Sequence, residues 1–171
     1  MFKYETHLHT IESSRCGSTS AAEYPAYYKS LGYSGIFITD HFFNGNCRIS
    51  NDLPWEDRVN MFCRSYELAK EAGDAIDFPV FFGWEANFDG DEFLIYGLDK
   101  KWLLGHPDIM SYSRAENDRL YGMEFDTPLS NEGDYVKRIL NREGHIAVPN
   151  AHRVPDNYTI ETKLPVVTNH R

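Results

Sequence analysis

Glu5-Thr6-His7-Leu8-His9-Thr10 is the stretch on which the reading of this chain turns. Phe2, Tyr4 and Thr6 alternate with polar neighbours, the period-two pattern of a short β-strand. Residues two apart on a strand share a face. His7 and His9 are therefore expected to project together from the strand's C-terminal end. Two imidazoles held by a stiff backbone can bind one metal ion, or two neighbouring ones. They can equally be two half-exposed histidines with no joint role, and residues further along the chain decide between these readings.

Working outward, Ile11–Gly17 reads as a polar loop, and Ser18 or Thr19 can cap the helix that follows. Tyr24, Tyr27, Tyr28 and Leu31 fall on one helical face, Pro25 sits near the first turn, and Gly32 ends the helix. Gly35-Ile36-Phe37-Ile38-Thr39 is an apolar run of the kind buried on both faces of a sheet, and it leads into Asp40-His41. A second helix is expected from Trp55 to Glu71, with Val59, Phe62, Cys63, Tyr66 and Ala69 inward and Gly73 closing it. Strands are expected at Pro79–Trp84, leading into Glu85, and at Glu92–Gly97 after a turn at Asp89-Gly90-Asp91. A third helix is expected at about Asn131–Arg142, and a fifth strand at His145–Pro149, leading into Asn150-Ala151-His152. The stretch from Asp99 to Pro128 has no clear pattern.

Apolar strands alternating with helices indicate a parallel α/β sheet in one domain spanning residues 1–171. Potential ligands recur where four of these strands end: His7 and His9, Asp40 and His41, Glu85, then His152. In α/β barrels such ends share one face, so residues distant in sequence converge there. That recurrence favours a metal site over separate histidines.

Composition narrows the class further. The 26 acidic against 17 basic residues leave a formal charge of -9, which argues against a nucleic-acid groove. Three cysteines with no paired spacing suggest a reducing compartment. Neither a signal peptide nor a membrane-spanning apolar run is read in the sequence, so a cytoplasmic protein without a membrane partner is expected.

His7-x-His9-Thr10, Ile38-Thr39-Asp40-His41, Gly83-Trp84-Glu85-Ala86-Asn87 and Ala151-His152 resemble, in order and placement, the motifs of the PHP (polymerase and histidinol phosphatase) family. The helix with Glu23 and Gly32 lies between the first two motifs, and Phe93–Leu98 is similar to the fourth strand of many members. The resemblance covers about Lys3 to Arg153. It implies a distorted (β/α)7 TIM-like barrel, a site of two or three divalent ions (zinc, manganese or iron), and hydrolysis of a small-molecule phosphate ester. It further implies that His7, His9 and His41 are metal ligands, that Glu85 bridges two ions, and that His152 completes a second ion's shell. Asp40 would orient a ligand or bind metal itself.

The chain departs from that pattern in three places. Where many members have a further histidine in the first loop, this chain offers Glu12, Arg15 and Cys16. Glu12 is the expected substitute ligand. Arg15 and Arg153 are candidates to grip substrate phosphate, while Cys16 reads first as a buried, inert thiol and second as a zinc ligand. Phe93 lies near the place of the fourth-strand histidine. The family's final Asp-x-His is not matched by Thr168-Asn169-His170, so the barrel is expected to be about one βα unit short at its C-terminal end. Two other readings stand beside the phosphoesterase: a degenerate PHP domain that binds metal for regulation without hydrolysis, and an amidohydrolase-like enzyme, which commonly needs a bridging lysine not seen at a strand end here.

Overall fold

The computed structural model describes residues 2–88 and 91–111, together with the backbone of three further short strands. The opening strand β1 (Tyr4–Glu5) is shorter than the alternation around it suggests. A 3-10 turn at Ala21–Glu23 leads into α1 (Tyr24–Ser30). Neither Ser18 nor Thr19 caps this unit. Ser20 holds the N-cap without a side-chain bond to the turn's backbone; the Glu12 carboxylate instead accepts from the free turn donor Ala21 N at 3.1 Å and from Ser20 Oγ at 2.7 Å. Tyr24 and Tyr28 pack inward as expected. Tyr27 and Leu31 do not, being 59% and 50% exposed; a seven-residue helix buries only a narrow face, and Pro25 takes part of it. Gly32 follows with φ of 77°, the left-handed conformation that terminates α1.

Strand β2 (Gly35–Ile38) is followed by α2 (Trp55–Asp74), in which Val59, Phe62, Cys63 and Ala69 are buried. Gly73 does not end this helix; it lies within it. A Cβ there would stand 2.6 Å from the Phe78 carbonyl oxygen and 2.7 Å from Val80 Cγ2. Its bareness lets the returning chain cross the helix closely on the way to β3 (Val80–Phe88). Next come β4 (Asp91–Tyr96), α3 (Lys100–Leu104) and a 3-10 turn at Pro107–Ser111. The Asp99 carboxylate accepts from Trp102 N at 2.7 Å and so caps α3. The remaining strands are β5 (Met123–Phe125), β6 (Val136–Arg138) and β7 (Ile146–Pro149).

The main sheet has the order β1-β2-β3-β4-β7. β1, β2 and β3 are parallel; β4 runs antiparallel to β3, and β7 antiparallel to β4. Two expectations are corrected here. The sheet is mixed rather than all parallel, because only two residues separate β3 from β4 and so short a connection makes a hairpin. The described residues form an open α/β sheet, not a closed (β/α)7 barrel. The reversal of β4 restores β7 to the direction of β1–β3, so the C-terminal ends of all four point the same way. A third correction falls at 136–138, where a helix was expected. The backbone there is extended and pairs with β5, Met123 opposite Arg138. Tyr135, Val136 and Ile139 suit a strand as well as a helix, and pairing decides. Residues 150–171, including His152 and Arg153, lie outside the described residues, as does His145.

The sheet's two faces have different contents. Ile36, Ile38, Val80, Trp84 and Ile95 are buried beneath the helices or the loops beside them. The opposite face carries Tyr4, Phe37, Phe81 and Tyr96 in successive ring contacts. By the same alternation it carries Gly83 and Glu85. No helix among the described residues is long and apolar enough to cross a membrane.

Gly73 supplies a test of this packing. On propensity alone Gly73→Ala should stabilise α2 by about 1 kcal/mol. The close approach of Phe78 and Val80 predicts the reverse, a loss of about 1–3 kcal/mol from overpacking. Urea unfolding of the two proteins decides, and a raised midpoint in the alanine variant refutes the close crossing.

Candidate metal centre

β3 does not stop at Glu85. It continues to Phe88 because β4 pairs with it throughout, Glu85 opposite Leu94 and Asn87 opposite Glu92. Beyond β2, His41 forms one further parallel bridge with Glu85, held by Phe42 N to Glu85 O at 2.7 Å and Glu85 N to Asp40 O at 3.0 Å. Glu85 is thus anchored in mid-sheet, 1% exposed.

Three imidazoles surround its carboxylate. His9 Nε2 lies 2.9 Å from Oε2, His41 Nδ1 3.0 Å from the same oxygen, and His7 Nε2 3.4 Å from Oε1. His7 Nε2 and His9 Nε2 are themselves 2.9 Å apart. Each neutral imidazole has one N–H and one lone pair. Two ring nitrogens and a carboxylate oxygen at such distances need a proton or a cation among them, since lone pairs alone would repel. His7, His9 and Glu85 offer ligand atoms that all lie within 4.8 Å of one another, as do His41, Glu85 and Glu92, and His9, Cys16 and His41. The donor set of imidazole, carboxylate and thiol suits divalent transition metals. One buried carboxylate, Glu85, is common to the first two groups.

The histidines are positioned by side chains that grip the backbone between them. Tyr96 Oη donates to Thr6 O at 2.6 Å. Its ring lies over Gly83, where a Cβ would stand 2.9 Å from Tyr96 Cδ1. Leu8 N donates to Thr39 Oγ1 at 2.9 Å, and Tyr24 Oη to His9 O at 2.7 Å. Thr10 donates to Asp40 twice, from N at 2.6 Å and Oγ1 at 2.8 Å. Ser14 Oγ, 2.7 Å from Asp40, also accepts from His41 N at 2.9 Å. Asp40 therefore serves the loop: it ties the first histidine motif to the second.

The other residues singled out in the sequence fall as follows. Glu12 is turned to the 3-10 turn, where Ser20 and Ala21 occupy it, and it joins none of the three donor groups. Arg15 Nε donates to Cys47 O at 2.9 Å, and Arg48 Nε to Ser14 O at 3.2 Å. The two arginines fasten one loop to the other at the rim of the site. Cys16 is not buried and inert; it is exposed, with Sγ 3.0 Å from His9 Nδ1. Burial of part of its surface pushes the thiol up, opposed by a backbone hydrogen bond. Glu92 was missed altogether. Its signal lay in the Asp-Gly turn, since a hairpin there puts Glu92 on the face shared by Glu85 and Asn87.

No family model matches the chain, and no curated protein matches it. A crystal structure from Bifidobacterium adolescentis that carries the name metal-dependent phosphoesterase resembles it at 17% identity with a TM-score of 0.43, over 70% of this chain and 34% of its own length. The chain thus spans about a third of that protein. Fold and site together define an α/β protein with a candidate metal centre of histidine and glutamate on its sheet.

Asp40 separates two roles. Asp40→Ala strands three donors in the interior and should cost at least about 2 kcal/mol, with weaker metal uptake as the loop loosens. Urea unfolding and metal analysis on one preparation check this. Metal loss at unchanged stability would make Asp40 a ligand instead.

Acid should weaken the metal-free protein. Burial, aided by repulsion from His9 and opposed by Glu85, lowers His41 from 6.5 to about 4. Burial would raise Glu85, but hydrogen bonds from His7 and His9 and their charge outweigh it and hold the carboxyl at about 2 instead of 4.5. Both folded-state values lie below their unfolded ones, so the unfolded chain binds more protons as the pH drops and stability is lost. Unfolding midpoints in chelator should fall from about pH 6.5 to pH 4 through His41, with Glu85 contributing below 4.5. A flat profile across that window contradicts a neutral, buried His41.

Proposed function

We propose that the protein is a metal-dependent hydrolase that cleaves a phosphate ester of a small molecule, as the PHP-like motif order implies. The observation that carries this is Glu85: a buried carboxylate whose two oxygens face different imidazoles, with Glu92 beyond. Two or three divalent cations of zinc, manganese or iron are the cofactors of this reading. Such cations supply the positive charge that an attacking water and the phosphoryl oxygens require.

The residues of the chain supply the rest. His7, His9 and Glu85 would hold one cation, and His41, Glu85 and Glu92 would hold another, with Glu85 common to both groups. Neutral imidazoles donate without cancelling cation charge, which preserves Lewis acidity. Asp40 acts through Thr10 and Ser14, keeping both histidine motifs in place. Arg15, on the rim, is the candidate to orient an anionic substrate through guanidinium nitrogens other than Nε. His152 and Arg153 keep their proposed roles as further ligand and phosphate partner. The C-terminal end of β7 points toward the same side as the ends of β1, β2 and β3, which supports their inclusion. The regulatory, non-hydrolytic reading differs in one measurable respect: metal without turnover.

Glu85→Gln tests the shared carboxylate while keeping its shape. An amide nitrogen has no lone pair for a second cation, so metal content should drop. Phosphomonoester hydrolysis should fall by at least about 100-fold, as when an important electrostatic contributor is removed. Elemental analysis and a titration of rate against manganese measure both. Unchanged metal content and rate in the glutamine variant rule out a shared carboxylate. Intact metal binding with no hydrolysis of any phosphoester by the wild type favours regulation.

A further inference from the structure

We infer that Cys16 is a thiolate ligand of the metal centre, beside His9 and His41, and biases the cation held there toward zinc and away from manganese. This rests on the metal-centre reading but not on the reaction proposed above.

The ring of His9 meets the centre on one edge and Cys16 on the other. Its Nε2 is committed to Glu85 Oε2 and His7, both 2.9 Å away. A neutral imidazole has a single lone pair, so with Nε2 donating to a cation, Nδ1 carries the hydrogen. That N–H points at Cys16 Sγ, 3.0 Å distant. A thiolate accepts such a bond well, and His9 thereby gains the fixed tautomer that metal-ligating histidines need. The sulfur is also close to His41, since His9, Cys16 and His41 have ligand atoms within 4.8 Å of one another.

The position of Cys16 is built into the loop. Arg15 N donates to Asn46 O at 3.0 Å and Arg48 N to Ser13 O at 2.8 Å, pairing the two loops on either side of Ser14 and Cys47. Cys16 follows at the end of this pairing, on the side of the histidines. The other two cysteines are buried away from the donor groups. A cation bound here displaces the Cys16 proton to solvent and forms one sulfur–metal bond. Soft sulfur favours zinc or cobalt over manganese, which prefers oxygen.

The experiment is reconstitution of the metal-free full chain with cobalt(II) alone. Visible ligand-field bands report that cobalt is bound, and a near-ultraviolet sulfur-to-cobalt charge-transfer band reports a thiolate ligand. The wild type should show both, and Cys16→Ser only the first. In the serine variant zinc affinity beside His9 and His41 should fall by about 10–100-fold, with manganese little changed. Should the variant fail to fold, alkylation of the wild type replaces it: iodoacetamide should modify Cys16 in the metal-free protein, and zinc should block it, with Cys47 and Cys63 unmodified throughout. Cobalt bound without the charge-transfer band, or zinc that leaves Cys16 open to alkylation, overturns the assignment and leaves the histidine–glutamate centre standing. No cobalt uptake at all overturns the centre itself and the assignment with it.

Discussion

Glu85 is a carboxylate almost without water, and most of the structure can be read as a response to it. A charge in that position is costly unless it is paired and hydrogen-bonded. Three imidazoles approach it from two different loops. Each loop is in turn held by partners of its own. With the histidines neutral the cluster would keep a net negative charge in the interior, which bound divalent cations would offset. The arrangement is destabilising as a piece of core and sensible as a cation site. Local stability is given up where function is expected.

The loop carrying His7 and His9 shows how a site can be rigid without regular structure. β1 ends at Glu5, so the sheet ladder does not hold the histidines. Tyr96, Thr39, Tyr24 and Asp40 instead satisfy the backbone of Thr6 to Thr10 one group at a time. All four come from other segments of the fold. Their bonds are buried or partly buried, so losing any one leaves an unpaired polar group rather than a solvated one. Packing behind the sheet is correspondingly tight, with Phe42 stacked on Trp84 and Trp84 on Trp102. The neighbours of Glu85 on the strand therefore have little room to move.

The mixed sheet bears on the site in one further way. A hairpin between β3 and β4 brings Glu92 back opposite Asn87, on the same face as Glu85. An all-parallel arrangement would have put the start of that strand at the far end of the sheet. Reversal thus adds an acidic group beside Glu85. Glu12, the carboxylate expected to fill a gap in the ligand set, is instead consumed in capping the turn before α1.

Much of this was legible in the residues. The α/β class, the two longer helices and all five strands of the main sheet follow from periodicity, because apolar spacing is a local property of the chain. The convergence of His7, His9, His41 and Glu85 could be anticipated from where apolar runs stop. Strand direction could not be settled that way. Pattern is blind to polarity, and an Asp-Gly turn had to be weighed against a rule for parallel sheets. Nor could sequence tell which of Glu12, Cys16 and Glu92 faces the centre. A carboxylate in a loop caps a helix or binds a metal according to which partner the folded backbone brings within about 3 Å. Ser20 and Ala21 reach Glu12 first, and His9 reaches Cys16. Those distances exist only once the two loops are paired, so tertiary structure alone decided them.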